Sequence, residues 1–270
     1  MKRSFFCFFV IIISLASCSQ FEKLRKSGDY ALMYRRAFDY YNAGDYIRSA
    51  QLFDDIVSIY SVTNKADTIL YYRAMSYFKQ KDYLTASHYF TQHYRDQRQS
   101  PFAEECEYLA GYCHCMQSPR PELDQASTMA AIEAFQIFLV RHPDSKYAGD
   151  AGKYLSAMKD KLVDKSYLTA KLYYNLGQYK ASITALNNSL DDYPETIYRE
   201  ELMYLLLRSS YLLAENSVPA RKRERFQSTV DEYYSFFGEF PESKYVKEAQ
   251  RMYDRADRYL KARPGEEEDE

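Results

Sequence analysis

Apolar and polar positions repeat along this chain with a helical period. The stretch "YRRAFDYYNAGDYIRSAQLFDDI", from Tyr34, lies over "YYRAMSYFKQKDYLTASHYFTQH", from Tyr71, at an offset of 37 residues. Ala37 falls on Ala74, Tyr40 on Tyr77, Asp45-Tyr46 on Asp82-Tyr83 and Phe53 on Phe90. A further step of 37 brings Tyr108 under Tyr71 and Gly111 under Ala74. A fourth copy holds Tyr167, Ala170, Tyr173, Gly177-Gln178-Tyr179 and Leu186, and a diverged fifth holds Thr229, Tyr233 and Phe236 ahead of Pro241. Spacings of three and four keep each apolar set on one helix face, so every copy predicts two helices joined by a short turn. Such a pair cannot bury its apolar face alone, and the copies are expected to stack.

A joint separates the copies. It is written "HPDSKYAGDA" from His142, "YPETIYREEL" from Tyr193 and "FPESKYVKEA" from Phe240. Proline lacks the amide hydrogen and clashes with the preceding turn, so it closes the helix before it. Ser145, Thr196 and Ser243 are placed to accept from the free amides of the helix that follows. From Ser145 to Gly177 there is no proline, and Tyr147, Ala151, Tyr154, Leu155, Met158, Leu162 and Leu172 keep an apolar period. One helix from about Ser145 to Tyr174 is expected, about 45 Å long by helical rise. The stretch "MQSPRPELD" predicts a longer turn inside the third copy, and "ARPGEEEDE" predicts a disordered acidic end.

Composition agrees with helices. Of the residues 46% are apolar, enough for a core, while 8 Gly and 8 Pro leave little turn chemistry for a β fold. A formal charge of −2 gives no field that would hold nucleic acid. The chain has 29 Tyr and no Trp. His88, His93, His114 and His142 form no i, i+4 pair, and no hydrolase, phosphate-binding or dinucleotide-binding motif occurs. Cys113-His114-Cys115 resembles a metal motif, but successive helical residues diverge by about 100° and cannot close on one ion. No catalytic set, metal site or cofactor is therefore expected. Cys106 and Cys113 are about 10.5 Å apart by helical rise, too far for a disulfide, so buried thiols are expected. "ARKRER" at 220–225 reads as a solvated helix start or as a docking patch for an acidic partner.

The amino terminus carries a leader. Lys2-Arg3 precede "FFCFFVIIISLAS", an apolar run shorter than the roughly 20 residues a membrane helix needs. It ends in Leu15-Ala16-Ser17-Cys18, which resembles a bacterial lipobox. That resemblance implies cleavage after residue 17, lipid on the sulfur of Cys18, and acylation (a palmitate-type chain) of its new amino group. Two or more chains make a stable membrane anchor. Ser19 follows, without the Asp that retains many such proteins at the inner membrane, so an outer-membrane protein facing the periplasm is expected.

The repeat itself resembles the tetratricopeptide repeat, with a small residue midway along its first helix, a Gly-Asp-Tyr-like turn, and a small residue and an aromatic on the second. The expected fold is an all-α superhelix of about five such pairs with a closing helix near 243–261. The expected divisions are a leader at 1–17, a lipid-anchored linker at 18–29, repeats one to three at 30–143, the long helix with repeats four and five at 144–261, and the tail at 262–270. One stripe on the first helices reads Tyr34, Phe38, Tyr41, then Tyr71, Met75, Phe78, then Tyr108, Tyr112, Cys115, and in the fourth copy Tyr167, Lys171, Tyr174. In arrays of this kind that face lines the concave groove, which would make Tyr34, Phe38, Tyr41, Tyr71, Met75, Phe78, Tyr108 and Tyr112 a peptide-binding surface. The competing reading is that these rings pack repeat against repeat.

The lipobox cysteine, five repeats and "PDSKYAGDAGKYLSAMKDKLVDKSYLTAKLYYNLGQYKASI", with the later "DDYPET", together resemble the BamD family of outer-membrane lipoproteins. The resemblance covers roughly 18–260 and is most specific over 140–200; the diverged fifth repeat with its basic stretch and the acidic tail depart from it. It implies a non-enzymatic subunit of the outer-membrane β-barrel assembly machine. The groove of its first repeats would take unfolded outer-membrane proteins, and its second half would hold the periplasmic domains of the BamA barrel subunit. A different periplasmic tetratricopeptide adaptor, such as a scaffold for cell-wall enzymes, shares everything except the 140–200 signature. A glycan-capturing lipoprotein of the SusD type would be longer and would favour Trp.

Overall fold

The structure, a computed structural model, describes residues 20–262; the leader, Cys18 and residues 263–270 of the acidic tail lie outside them. Every regular element among the described residues is helical. A short helical stretch at 20–25 precedes α1 (Tyr30–Asn42), α2 (Tyr46–Ile56), α3 (Ala66–Lys79), α4 (Tyr83–Asp96), α5 (Ala103–Gln117) and α6 (Ala126–Arg141). Then follow α7 (Ala148–Asn175), α8 (Tyr179–Asp192), α9 (Arg199–Glu215), α10 (Pro219–Glu239) and α11 (Val246–Lys261). Read as pairs, α1/α2, α3/α4, α5/α6, α7/α8 and α9/α10 are five tetratricopeptide repeats, and α11 closes the last.

The turn within a repeat is set by two residues. Gly44, Lys81 and Gly177 take left-handed backbone at φ 81°, 63° and 69°. Aspartates then cap the second helices. Asp45 Oδ1 accepts from Arg48 N at 3.2 Å, and Asp82 Oδ1 from Thr85 N at 3.1 Å, satisfying amides the helix leaves open. Gln178 stands at the third position and makes no side-chain cap. Asp29 caps α1 in the same way, through Leu32 N at 2.8 Å. Small residues let first and second helices approach: Ala37, Ala74 and Ala170 are fully buried, and a Cβ on Gly111 would stand 3.1 Å from the Phe135 ring.

The chain forms two compact units that divide inside α7, between Met158 and Lys159, rather than at 143/144; the loop 120–125 belongs to the second. The reason lies in what each part of α7 touches. Its start puts Tyr154 against Tyr112 and Phe135, completing the core under the third repeat. Its later turns put Tyr167 and Ala170 into the core of the fourth and fifth. The helix itself is unbroken and begins three residues after Ser145. Ser145 accepts from Tyr147 N at 3.0 Å while its hydroxyl donates to Glu104 at 2.6 Å, so it ends a turn instead of capping α7 directly.

Candidate functional site

Each joint builds the same contact. The hydroxyls of Ser100, Ser145, Thr196 and Ser243 accept from the amide two residues on, at 2.9, 3.0, 3.2 and 3.0 Å. That small turn fixes the aromatic residue that starts the next repeat. Phe102 lies flat on Tyr71 (centroids 4.1 Å, planes 15° apart) and Tyr147 on Tyr108 (4.6 Å, 11°). Tyr198 lies on Tyr167 and Tyr245 on Tyr204, each at 4.0 Å and 8°. At the first joint Lys65 replaces the ring, its ammonium 4.5 Å from the Tyr34 centroid. Tyr34, Tyr71 and Tyr108 of the expected groove are therefore also the rungs that couple one repeat to the next.

Burial sorts the eight groove residues. Tyr71 and Tyr108 are 8% and 9% exposed and offer no free ring face. Tyr34, Phe38, Tyr41, Met75, Phe78 and Tyr112 are half-buried. Phe38 meets Phe53 and Tyr72 edge-on, Tyr41 meets Tyr46 and Tyr72, and Phe78 meets Phe90 and Tyr112. Tyr72, unremarkable in the repeat register, joins Phe38 and Tyr41 of the first repeat to Tyr71 of the second. Burial pushes the Tyr41 and Tyr108 phenols up to about 12 and raises those of Tyr34, Tyr71 and Tyr112 as well. All stay protonated in water near neutrality and present apolar rings with a donor at the edge.

The position four residues beyond each rung changes character along the chain. It is Phe38, Met75 and Tyr112 in the first unit, but Lys171 and Arg208 in the second. Both cations are paired: Lys171 Nζ to Glu201 at 2.8 Å and to the Tyr167 hydroxyl at 2.6 Å, and Arg208 to Glu248 at 3.3 Å. Lys171 holds the Glu201 carboxyl below its ordinary range, against the opposing effect of burial. One face of the same repeat is thus aromatic in one unit and ionic in the other. The rung of the fifth repeat, Tyr204, escapes the sequence alignment because Leu207 stands where the other copies carry Ala or Gly.

No group of three His, Cys, Asp or Glu side chains among the described residues is arranged to hold a metal ion. Cys106, Cys113 and Cys115 are buried, and burial raises the thiols of Cys106 and Cys113, the latter to about 12, which suppresses thiolate chemistry.

Residues 27–226 match the family described as YfiO, outer membrane lipoprotein. The chain belongs to this family. The match runs from ahead of α1 to Phe226 in α10, so it takes in the whole rung series except the closing contact to Tyr245. The outer membrane protein assembly factor BamD of Neisseria meningitidis serogroup B is 23% identical over 232 residues, 82% of this chain and 83% of that protein. The BamD of Rickettsia prowazekii is 23% identical over 146 residues, 54% of each chain. That of Caulobacter vibrioides is 25% identical over 122 residues, 45% of this chain and 40% of the relative. Among the described residues of this YfiO-family chain, no helix is long and apolar enough to cross a membrane.

Proposed function

We propose that this protein is a non-enzymatic, lipid-anchored subunit of the outer-membrane β-barrel assembly machine, exposed to the periplasm and tethered through Cys18. In this reading the aromatic face of α1, α3 and α5 binds extended segments of unfolded barrel proteins. The ionic face of α7, α9 and α11 binds the folded periplasmic domains of a BamA-like barrel subunit. The observation that carries the reading is the change from Phe38, Met75 and Tyr112 to Lys171 and Arg208 at one repeat position. A half-wet aromatic stripe suits extended peptides with spaced aromatics, and paired charges suit a folded polar surface. Membership of an outer-membrane lipoprotein family and the names of the BamD relatives support the same setting.

The test leaves the rungs intact. Tyr41→Ala with Tyr112→Ala removes two half-buried rings, each worth about 0.5–1.5 kcal/mol beyond its area. Affinity for a peptide from the carboxyl end of a barrel protein should fall roughly tenfold or more, since 1.4 kcal/mol is a factor of ten. Helicity by circular dichroism must be retained in the same sample; unchanged affinity with full helicity refutes the aromatic site. Recovery of a large barrel protein in a mild-detergent pull-down tests the second half, and recovery of cell-wall enzymes instead would point to another adaptor.

A further inference from the structure

We infer that the basic first turns of α10 are a docking surface for an acidic peptide segment, and that residues 266–270 of this same chain, Glu-Glu-Glu-Asp-Glu, occupy it. Arg221, Lys222, Arg223 and Arg225 stand at the start of α10, with no acidic residue in its first turn. The amino end of a helix carries the equivalent of about half a positive charge and favours anions, so this placement opposes the macrodipole. Val218 at the cap makes no side-chain bond to the open amides. Glu224 offsets one cation, Arg221, at 3.2 Å on an exposed surface. Departures from local charge rules point to a compensation elsewhere.

The compensation starts beside this face. Arg223 Nη2 donates to Leu260 O at 2.8 Å, at the carboxyl end of α11. Lys222 Nζ stands 6.0 Å from the centroid of Tyr259, and Phe226 packs on that ring at 4.6 Å. The chain therefore leaves α11 directly over the basic turns, and five successive carboxylates follow within nine residues of Lys261. Each residue spans at most about 3.5 Å, while residues 219–225 rise only about 10 Å along the helix, so the run can cover the patch. The three cations that Glu224 does not offset meet five carboxylates with a short connection, which gives a high effective concentration without any tight intrinsic contact. An acidic partner would reach this face only by displacing the tail.

The test uses the full chain and a water-soluble carbodiimide, which condenses a carboxylate with an ammonium in contact. The tail peptide should be joined to Lys222, and the yield should fall at least fivefold in 1 M NaCl, where the screening length is about 3 Å. Lys222→Arg should abolish that link and keep the charge. Links to Lys261 alone, the tail's neighbour in sequence, overturn the proposal. So do links found only between molecules in a mixture of isotopically labelled and unlabelled chains. In a second arm, a fluorescent Glu-Glu-Glu-Asp-Glu peptide should bind a chain ending at Ala262 at least ten times more tightly than the full chain; equal binding overturns the cis occupant.

Discussion

The flat contact between Tyr167 and Tyr198 is the most direct place to test whether the rungs hold the repeats together. The two rings lie 4.0 Å apart at 8°, and Tyr167 is 8% exposed. The Tyr198 hydroxyl also donates to Asp164 at 2.8 Å, and the Tyr167 hydroxyl accepts from Lys171. Replacing either tyrosine by Leu keeps an apolar side chain while removing the ring plane and one hydrogen bond. A net hydrogen bond contributes about 0.5–1.5 kcal/mol and a ring pair about 0.5–1.5 kcal/mol, so each single variant should lose about 1–3 kcal/mol. The quantity that isolates the stack is the coupling in the double-mutant cycle. Because the hydrogen-bond partners differ, Asp164 on one side and Lys171 on the other, their losses should add, and only the stack should remain as coupling. It should be about 0.5–1.5 kcal/mol, read from urea unfolding followed by circular dichroism. A coupling below about 0.3 kcal/mol, within ordinary additivity, would refute the rung as an energetic link.

Three further outcomes follow from single residues. Lys81 holds φ at 63° on the surface, where an L residue costs about 1–2 kcal/mol and glycine costs about 0.5–1 in chain entropy, so Lys81→Gly should stabilise by roughly 0.5–1 kcal/mol in urea. His93 is fully buried with Nε2 on Asp67 at 2.7 Å and Nδ1 without a partner, and burial lowers its pKa despite Asp67. The unfolded chain then binds the extra proton first, so stability from this group is present above about 6.5 and is lost as pH falls toward the folded value. An NMR titration should place the His93 midpoint below 6.5, and a midpoint above it contradicts the assignment. Changing Cys18 to Ala should move the protein from the outer-membrane fraction to the soluble periplasm; continued membrane fractionation without lipid label would reject the lipobox.

Much of the architecture was legible because repetition multiplies a weak signal. Asp45 and Asp82, the left-handed turn before them, and Ala37, Ala74 and Gly111 recur at fixed spacing for reasons a backbone imposes. The start of α9 was obscured where Leu207 breaks the small-residue position, so the fifth copy could be recognised only from Thr229, Tyr233 and Phe236 on its second helix. The division inside α7 was hidden for another reason. A continuous apolar period cannot reveal that Tyr154 and Tyr167, on one helix, serve different cores.

The groove residues mark the limit of periodic reasoning. Aligning copies compares equivalent positions, so it placed Tyr34, Tyr71 and Tyr108 on one face. The ring that covers each tyrosine comes from a nonequivalent position, the joint of the next repeat. The chain separation varies as well: Tyr71 meets Phe102, but Tyr108 meets Tyr147, and Tyr204 meets Tyr245. A separation of 31 residues recurs for Tyr34 with Lys65, Tyr71 with Phe102 and Tyr167 with Tyr198, so one spacing aligns three of the five pairs and misses the other two. The joint does carry a local mark, a Ser or Thr two residues before an aromatic, because its hydroxyl must hold the amide that orients the ring. Read that way, Ser100-Pro101-Phe102 joins the three proline joints despite its different spelling. The first joint, Thr63-Asn64-Lys65, keeps the hydroxyl contact at 3.3 Å but has no proline and offers a cation to Tyr34. Stacked rings exclude a ligand between them, whereas a lysine end can swing away at little cost. The proposed aromatic groove therefore predicts that Tyr34, among the rungs of the first unit, is the one a partner's aromatic side chain engages without parting two repeats.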